Sequence, residues 1–391
     1  MARRHIETGI DIGSSNVRVV VSEYMEGATL PIIIGTGIAE ARGMRHGYIV
    51  NIPETVESIR LALAQAEKSS AVKIKRAFIA IGGISVESET ASGSVFVSRA
   101  DNEVTDMDVS LAITAAEEHL HKGANKEILQ QIPVSFKLDN EQVLGKPQGM
   151  KGSRLEATAL FITCLSQHLK DFFDAAEQAG ISVDDVLPSP IAASFATLAK
   201  RQRTAGCALA NIGAETLSLA VFENDMPISL KIFPIGGMEI TNDIALGLRV
   251  PLEEAEEIKR GSRISSYSKK KVDDIVGARL SDIFDLINAH LKKIGKQGLL
   301  PAGIIITGGS SAIPLIENLA KETLQIPSKV AQPDFAKNTK NQIHDASWAV
   351  AYGLTIMGLN DNGNTAGGLL IPHARANMWA AVKRAVKQIL P

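Results

Sequence analysis

Two short turns, separated by 200 residues, carry residue types that can bind phosphate. The first is Gly13-Ser-Ser-Asn16 and the second is Gly213-Ala-Glu-Thr216, and each follows an apolar segment. In a tight turn between two strands the backbone N–H groups converge, and small or hydroxyl side chains let a phosphate approach them. Asp11 would repel a phosphate directly, so its expected role is to hold a hydrated Mg²⁺ through water. A surface hairpin without a ligand would explain either turn alone, whereas two matching turns favour a shared phosphate site.

Two further segments could hold the rest of a nucleotide. Gly308-Gly-Ser-Ser311 ends an apolar strand, and glycine there lets the backbone pass close under a flat ring or a ribose. Glu256 and Lys259 stand three residues apart on one face of a predicted helix, where they could grip a sugar hydroxyl or form an exposed ion pair. Neither a Gly-x-x-x-x-Gly-Lys-Ser/Thr phosphate loop nor a Gly-x-Gly-x-x-Gly dinucleotide fingerprint occurs in the sequence.

The elements that must position these turns occur twice along the chain. Predicted strands lie at 6–12, 17–23, 31–39 and 77–81, and the same order recurs at 207–213, 217–222, 228–235 and 303–308. The segments 10–21 and 210–221 match in pattern at an offset of 200 residues. This indicates an internal duplication of a strand-turn-strand unit followed by a crossover helix. Between the two units, three further strands (93–97, 132–138 and 154–162) and one helix (106–120) predict a compact inserted module.

Composition and charge exclude several classes of protein. With 391 residues, 45% of them hydrophobic and 21% charged, the chain is long enough for two to four domains with ordinary cores. A formal net charge of -2 excludes a globally basic nucleic-acid binder. Cys164 and Cys207 lie in apolar runs without Cys-x-x-Cys spacing, so we expect buried thiols and neither a disulfide nor a zinc site. The sequence shows no signal-peptide pattern and no run of about 20 apolar residues, so we expect a cytoplasmic location.

The last 30 residues differ in charge from the rest. They contain four Lys or Arg and no acid, so the other 361 residues sum to -6. From Asn377 onward, apolar residues recur at helical spacing opposite a basic side, which is typical of a helix lying in the headgroup plane of an anionic membrane. A helix packed onto the domain surface is the alternative, and the Gly-rich segment before it argues against such docking. The residues expected to meet the membrane are Trp379, Val382, Lys383, Arg384, Val386, Lys387, Ile389 and Leu390.

These motifs resemble those of the actin, DnaK-type chaperone and sugar-kinase superfamily and, within it, the FtsA family of bacterial cell-division proteins. The resemblance includes Pro234-Ile-Gly-Gly-Met-Glu-Ile-Thr-Asn-Asp243, Ile306-Thr-Gly-Gly-Ser310 and, in the inserted module, Pro147-Gln-Gly-Met150. It implies an α/β, actin-like duplicated ATPase fold with an inserted α+β subdomain and a C-terminal amphipathic helix. The expected domains are a first half (1–83, 162–200 and 340–360), the inserted subdomain (84–161), a second half (201–339, with 235–300 its smaller subdomain), a flexible linker (361–376) and the membrane-targeting helix (377–391).

The resemblance also implies a site for ATP and Mg²⁺ between the halves. Asp11 would organise Mg²⁺ through water, as its position beside the first turn already suggests. The nucleotide would be held by Gly13, Ser14, Ser15, Asn16, Asn211, Gly213, Ala214, Glu215, Thr216, Gly236, Gly237, Glu256, Lys259, Gly308, Gly309 and Ser310.

The sequence departs from the superfamily pattern where hydrolysis is concerned. Many members carry Asp-x-Gly-Gly-Gly-Thr in the second phosphate turn, but this chain has Asn211, Ala214 and Glu215 at three of those positions. A hydrolytic member needs a carboxylate or Gln that orients the attacking water. We therefore expect ATP binding with weak or absent ATPase activity, and Glu215 is the candidate catalytic residue.

The family resemblance implies an adaptor that anchors FtsZ filaments to the cytoplasmic face of the plasma membrane and polymerises with itself. Arg279, Lys292 and Lys293 flank a predicted helix at 279–294 and could receive the FtsZ C-terminal peptide, although a solvated basic helix end explains them equally well. The inserted subdomain is a candidate surface for other division proteins, and no nucleic-acid partner is expected. Two alternatives are an actin-fold phosphotransferase acting on a small metabolite and a PilM-like pilus-assembly protein. The first needs a clear catalytic carboxylate, and the basic tail argues against the second.

Overall fold

The molecule has two halves, and each is built on a β-sheet. Five strands of the second sheet follow the same order as the five strands of the first. The computed structural model describes residues 5–25, 28, 30–121, 123, 125–262, 267–332, 343 and 345–360. The strands are β1 (His5–Ile12), β2 (Asn16–Tyr24), β3 (Ile32–Glu40), β4 (Met44–Arg45), β5 (Tyr48–Ile49), β6 (Arg76–Ile81), β7 (Glu87–Phe96), β8 (Lys126–Leu138), β9 (Glu141–Val143), β10 (Arg154–Leu165), β11 (Ser182–Pro188), β12 (Cys207–Ile212), β13 (Leu217–Glu223), β14 (Met226–Phe233), β15 (Ile304–Thr307) and β16 (Ser328–Val330). The α-helices are α1 (Ile52–Ser70), α2 (Asp106–Glu117), α3 (Ser166–Gln178), α4 (Ser189–Thr197), α5 (Lys200–Ala205), α6 (Gly237–Leu248), α7 (Leu252–Lys259), α8 (Lys269–Lys293), α9 (Ile316–Leu324) and α10 (Ala349–Asn360).

The strand order confirms the duplication. The first sheet runs β11-β6-β1-β2-β3, and one end of the second sheet runs β16-β15-β12-β13-β14. In both, the hairpin partners are antiparallel, whereas β6 lies parallel to β1 and β15 lies parallel to β12. Parallel neighbours need a crossover connection, and α1 supplies the one between β3 and β6. Each of the two phosphate-type turns, 13–16 and 213–216, therefore lies at the end of a central strand, where the chain reverses into the next strand of the hairpin.

The inserted module extends the second sheet rather than forming a separate layer. Strand β7 pairs with β10, which pairs with β8, and a single residue pair, Lys231 with Glu87, joins β7 to β14. The Ser88 hydroxyl reinforces the junction because it donates to the Leu230 carbonyl and accepts from the Leu230 N–H. Strand β7 begins at Glu87, earlier than its apolar residues suggested, because the start of the strand is polar.

Apolar clusters on both halves hold the cleft walls in place. One includes Ile10, Ile79 and Phe172, and another, which includes Phe284 and Ile306, packs α6 to α9 against the second sheet. Both cysteines are completely buried, as predicted. Burial raises the pKa of each thiol to about 12, so both remain protonated.

Two kinds of feature are absent from the described residues. No helix there is long and apolar enough to cross a membrane. The same part of the chain brings together no cluster of three or more His, Cys, Asp or Glu side chains that could hold a metal ion. The predicted linker (361–376) and membrane-targeting helix (377–391) lie outside the described residues.

Candidate functional site

A cavity of about 630 Å³ opens between the two halves, at the ends of the central strands. Both phosphate-type turns contribute to its wall, together with α7 and the turn that follows β15. The sequence-predicted residues that line it are Asp11, Gly13, Ser14, Ser15, Asn16, Asn211, Gly213, Ala214, Thr216, Glu256, Lys259, Gly308, Gly309 and Ser310. The structure therefore brings together residues from four separate segments that the sequence predicted to act together.

The two turns are closed by the same backbone hydrogen bond. In the first, the Gly13 N–H donates to the Asn16 carbonyl at 3.1 Å, and in the second the Gly213 N–H donates to the Thr216 carbonyl at 2.9 Å. The same hydrogen bond in both halves follows from the same strand-turn-strand register. Two similar turns therefore face one cavity, which suits a ligand that carries several phosphates.

Gly236 and Gly237 support the second turn and do not line the cavity. The N–H groups of Gly237 and Met238, at the start of α6, donate to the carbonyls of Gly213 and Ala214 at 2.9 and 2.7 Å. A side chain at Gly236 would meet the Ala214 carbonyl oxygen, so the helix and the turn approach each other closely. This glycine pair therefore fixes the position of the second phosphate turn without lining the cavity itself.

Gly308 allows the turn after β15 to approach the second phosphate turn. Its φ is +91°, and a Cβ at this position would lie 2.5 Å from the Ile212 carbonyl oxygen and would also meet the Asn211 side chain. A 3-10 helix, Gly309–Ala312, follows, and its Ser310 hydroxyl donates to the Gly213 carbonyl at 3.2 Å. The predicted close passage of backbone at this position is therefore present.

Glu256 and Lys259 form a partly buried ion pair at the cavity wall, so the alternative interpretation of a fully exposed pair does not hold. The Lys259 ammonium lies 2.6 Å from the Glu256 carboxylate, and only 11% of the Lys259 side chain is exposed. It also donates to the Gly237 carbonyl and the Thr241 hydroxyl, at 3.0 and 2.8 Å. Burial lowers the pKa of Lys259 although the bond to Glu256 opposes this shift. Burial alone would raise the pKa of Glu256, but its bonds to Lys259 and Thr241 leave that pKa below the ordinary value.

Arg18 is a cavity residue that the sequence analysis missed. It lies on β2 directly opposite Asp11 on β1, and both side chains line the cavity. Burial raises the pKa of Asp11 to about 6, with Arg18 opposing the shift. The Arg18 guanidinium lies 5.8 Å from the centre of the Trp348 ring, and its buried Nε has no hydrogen-bond partner within the described residues. The available signal was an arginine within the apolar run Val17-Arg-Val-Val-Val21.

A hairpin formed by β4 and β5 connects the two phosphate turns. Its turn residues, His46 and Gly47, both have positive φ, +47° and +79°, as a two-residue type I′ hairpin requires. The Gly47 N–H donates to the Ser14 hydroxyl at 3.1 Å, and the His46 N–H donates to the Glu215 carboxylate at 2.6 Å. Glu215 therefore contacts the opposite half through its carboxylate, and it is absent from the cavity lining. Its catalytic role stays a prediction.

His168 packs against the β4–β5 hairpin and contacts its turn. Its ring stacks on Tyr48 with 4.4 Å between the ring centres, and its Nε2 lies 3.1 Å from the Gly47 carbonyl. Its Nδ1 contacts the Ser85 hydroxyl at 2.5 Å. Burial lowers the pKa of His168 to about 4, so the ring is neutral near pH 7 and its contacts are those of an uncharged imidazole.

The residues predicted to bind a partner lie on α8, which begins at Lys269, before the predicted start of that helix. Arg279 forms ion pairs with Asp243 at 2.7 Å and Asp282 at 3.2 Å, so its charge is neutralised within the fold. Lys292 and Lys293 are exposed at the C-terminal end of the helix. The membrane residues predicted at 379–390 lie outside the described part of the chain.

Duplicated α/β halves around a cleft, with facing phosphate-type turns and an inserted module, define the actin-like fold class. The similar solved structures include the PilM–PilN type IV pilus biogenesis complex, with a TM-score of 0.68 and 17% identity over 90% of this chain and 98% of that one. MreB5 of Spiroplasma citri bound to AMPPNP gives a TM-score of 0.53 and 14% identity, covering 93% of this chain and 99% of that one. The predicted fold class is confirmed.

Sequence comparison identifies the family within this class. A family model described as "Cell division protein FtsA" matches residues 208–353, and one described as "SHS2 domain inserted in FTSA" matches 83–163. Cell division protein FtsA of Bacillus subtilis is 31% identical over 357 residues, which cover 86% of this chain and 80% of that protein. Its counterpart in Pseudomonas aeruginosa is 29% identical over 373 residues, covering 90% and 88%. The chain belongs to the FtsA family of cell-division proteins, as the sequence analysis predicted.

Proposed function

We propose that the cleft binds ATP and that the chain acts as an actin-like adaptor which anchors FtsZ filaments to the cytoplasmic face of the plasma membrane and polymerises with itself. The observation that supports ATP binding is the meeting of two phosphate-type turns, the Glu256–Lys259 pair and the Gly308–Ser310 backbone around one cavity. A solved protein of the same fold, MreB5, binds the ATP analogue AMPPNP.

A single carboxylate at the cleft, that of Asp11, fits a magnesium ion that the nucleotide itself carries. Asp11 is the predicted ligand, acting through water, and no cluster of three His, Cys, Asp or Glu side chains occurs within the described residues. Bound there, Mg²⁺ would neutralise phosphate charge. The neutral amide of Asn211 and the contact between Glu215 and His46 supply no free carboxylate at the second turn. We therefore propose that ATP occupancy, rather than rapid turnover, controls the closed cleft and filament assembly.

ATP binding is tested by isothermal titration of the full chain with ATP and with ATP–Mg²⁺. We expect one site per chain and slow phosphate release in a multiple-turnover assay. A chain that binds no ATP under either condition would contradict the proposal. Fast phosphate transfer to a small acceptor would favour the phosphotransferase alternative.

Membrane anchoring is tested with vesicles that contain anionic lipid. The chain has two tryptophans, and Trp348 lies in the described fold beside Arg18. A Trp348→Phe variant therefore isolates the signal of Trp379, which we expect to shift to the blue when anionic vesicles are added. A variant that lacks residues 377–391 should not sediment with the vesicles. Equal sedimentation of both chains would contradict the proposed anchor.

Filament recruitment is tested with the C-terminal peptide of FtsZ. Because Arg279 is already neutralised by Asp243 and Asp282, we expect Lys292 and Lys293 to provide most of the attraction for an acidic peptide. The double variant Lys292→Glu and Lys293→Glu should weaken peptide binding, whereas Lys321→Glu, an exposed lysine on α9, should not. An equal loss in both variants would indicate a general charge effect.

A further inference from the structure

A second cavity, of about 460 Å³, opens at the junction between the inserted module and the second half. Strands β7 and β14 pair there at one position, Lys231 with Glu87. The lining of the cavity includes one face of α8 and the residues just after α2, Leu120 and His121. We call this cavity the junction trough. Its volume falls within the range of about 300 to 1,000 Å³ that ligand pockets occupy.

One face of α8 is open to the junction trough. The residues of this face stand three, four and seven positions apart, which places them on one side of the helix: Leu286, Ala289, His290 and Lys293. Leu286 is 38% exposed although its side chain is large and apolar. Together with Phe233 on β14, which also lines the trough, it offers apolar surface that a partner can bury.

The junction trough carries an excess of positive charge. Its lining contains three lysines, at 126, 231 and 293, and two glutamates, at 87 and 89, so its formal charge is +1 with the histidines uncharged. The Glu87 carboxylate binds the ammonium of Lys126 through one oxygen, at 2.8 Å, and that of Lys231 through the other, at 2.9 Å. An ammonium has three N–H donors, so both lysines retain donors for a second anion.

Lys293 differs from the other two lysines because it has no carboxylate partner. It is exposed, and no Asp or Glu of the described residues forms an ion pair with it. Burial lowers the pKa of His290, and Lys231 and Lys293 lower it further, so both ammonium groups lie near this ring. Cations that converge with too few acidic partners repel one another, and an anionic ligand relieves that repulsion.

We propose that the junction trough is a docking site for a short acidic segment of a partner protein. One large apolar side chain of this segment packs against Leu286 and Phe233, and its carboxylates bind the three lysines. Complementary charge gives specificity, and the apolar anchor supplies most of the affinity. The inference goes beyond the proposed function, which places the FtsZ peptide on Lys292 and Lys293 and requires nothing from the inserted module.

The probe is a phage-displayed library of random peptides about nine residues long. Peptides are selected on the full chain, and those that also bind the Lys293→Glu variant are removed. We expect the remaining peptides to be enriched in Asp and Glu and to contain Leu, Phe or Trp. The strongest binder is then synthesised with a fluorophore. Its affinity should fall as the ionic strength rises from about 0.05 M to about 0.5 M, because the charged contacts are accessible to salt.

Two variants test the α8 side of the trough by fluorescence anisotropy. Lys293→Gln and Leu286→Ala should each weaken peptide binding by about tenfold, the loss typical of a residue that anchors an interface. The matched controls are Lys292→Gln, exposed beside Lys293 but outside the lining, and Leu246→Ala, whose side chain is 78% exposed on α6. Neither control should change the affinity.

A third variant tests whether the inserted module takes part. Lys126→Gln should weaken binding several-fold, and Lys126→Arg should restore it because arginine keeps the charge. Lys137→Gln is the matched control, since Lys137 also lies on β8 and pairs with Glu156 at 3.2 Å outside the lining. Thermal unfolding identifies variants that do not fold. If Lys126→Gln is one of them, a photo-crosslinking form of the peptide decides, and it should label both α8 and the segment after α2.

Three results would overturn the docking site. An empty selection, or peptides without acidic enrichment, would mean that the charge of the trough selects no such occupant. Unchanged affinity in Lys126→Gln, with a loss in Lys293→Gln, would confine the site to α8. Sedimentation of a chain without residues 377–391 on anionic vesicles, abolished by Lys293→Gln, would assign the trough to a lipid surface. The proposed FtsZ contact depends on Lys292 and not on Lys126, so its failure is distinguishable from failure of this site.

Discussion

The contact between Glu215 and the His46–Gly47 turn gives a quantitative prediction about nucleotide release. The Glu215 carboxylate accepts the His46 N–H at 2.6 Å across the cleft, while Gly47 contacts Ser14 on the near side. A hydrogen bond to a charged group contributes about 1.5 to 3 kcal/mol, and Glu215 is half-buried, so we take the lower end, about 1.5 kcal/mol. If this bond holds the closed cleft over bound nucleotide, its loss should speed release by about tenfold.

The assay is a stopped-flow chase of a fluorescent ATP analogue from the full chain. Glu215→Ala should release the analogue about tenfold faster, with little change in the association rate, since the bond forms after the nucleotide enters. His46→Asn should release the analogue nearly as slowly as the wild type. It keeps the backbone N–H that binds the carboxylate, asparagine tolerates a positive φ, and the substitution removes only the 3.3 Å contact between the ring Nδ1 and the Glu215 carbonyl. Glu223→Ala is the matched control, since Glu223 pairs with Lys296 at 2.7 Å outside the cavity lining.

The same variants separate a closing role from catalysis. If Glu215→Ala abolishes residual phosphate release and leaves the dissociation rate of the analogue unchanged, then Glu215 is catalytic and does not hold the cleft closed. An equal acceleration in Glu223→Ala would also refute it, because the effect would then be a general consequence of removing an acidic side chain from the second half.

Two further predictions concern the cavity wall. Gly308→Ala should cost about 3 kcal/mol of unfolding free energy, from the positive φ of +91° and the clash with the Ile212 carbonyl, whereas Gly309→Ala, with no atom near its added Cβ, should cost less than about 1 kcal/mol. Similar costs in urea titrations of the two variants would contradict the proposed close approach. Asp11→Asn should change the pH dependence of stability. Because the folded pKa of Asp11, about 6, lies above the unfolded value of about 4, wild-type stability relative to Asp11→Asn should fall as pH rises through that window and then level off. A constant difference in unfolding free energy between about pH 4 and about pH 7 would contradict the raised pKa of Asp11.

Much of the fold could be predicted because its signals are local. Alternating apolar residues on either side of Gly13 and Gly213 indicated strands joined by tight turns, and the offset of 200 residues indicated the duplication. The β4–β5 hairpin escaped prediction because strands of two residues are too short to show a period. The polar start of β7 at Glu87 was missed for a related reason, since its side chains form ion pairs at the junction instead of filling a core.

The sequence by itself determined the duplicated halves, the two turns and the segments that meet in the cleft, because turn geometry and strand periodicity depend on neighbouring residues. Only the tertiary structure decided that Lys259 is buried, that Arg279 is neutralised and that Arg18 lines the cavity. It also showed that the Glu215 carboxylate contacts His46, 169 residues away in the chain. Burial and ion pairing depend on groups that are distant in sequence and close in space, so no local pattern encodes them.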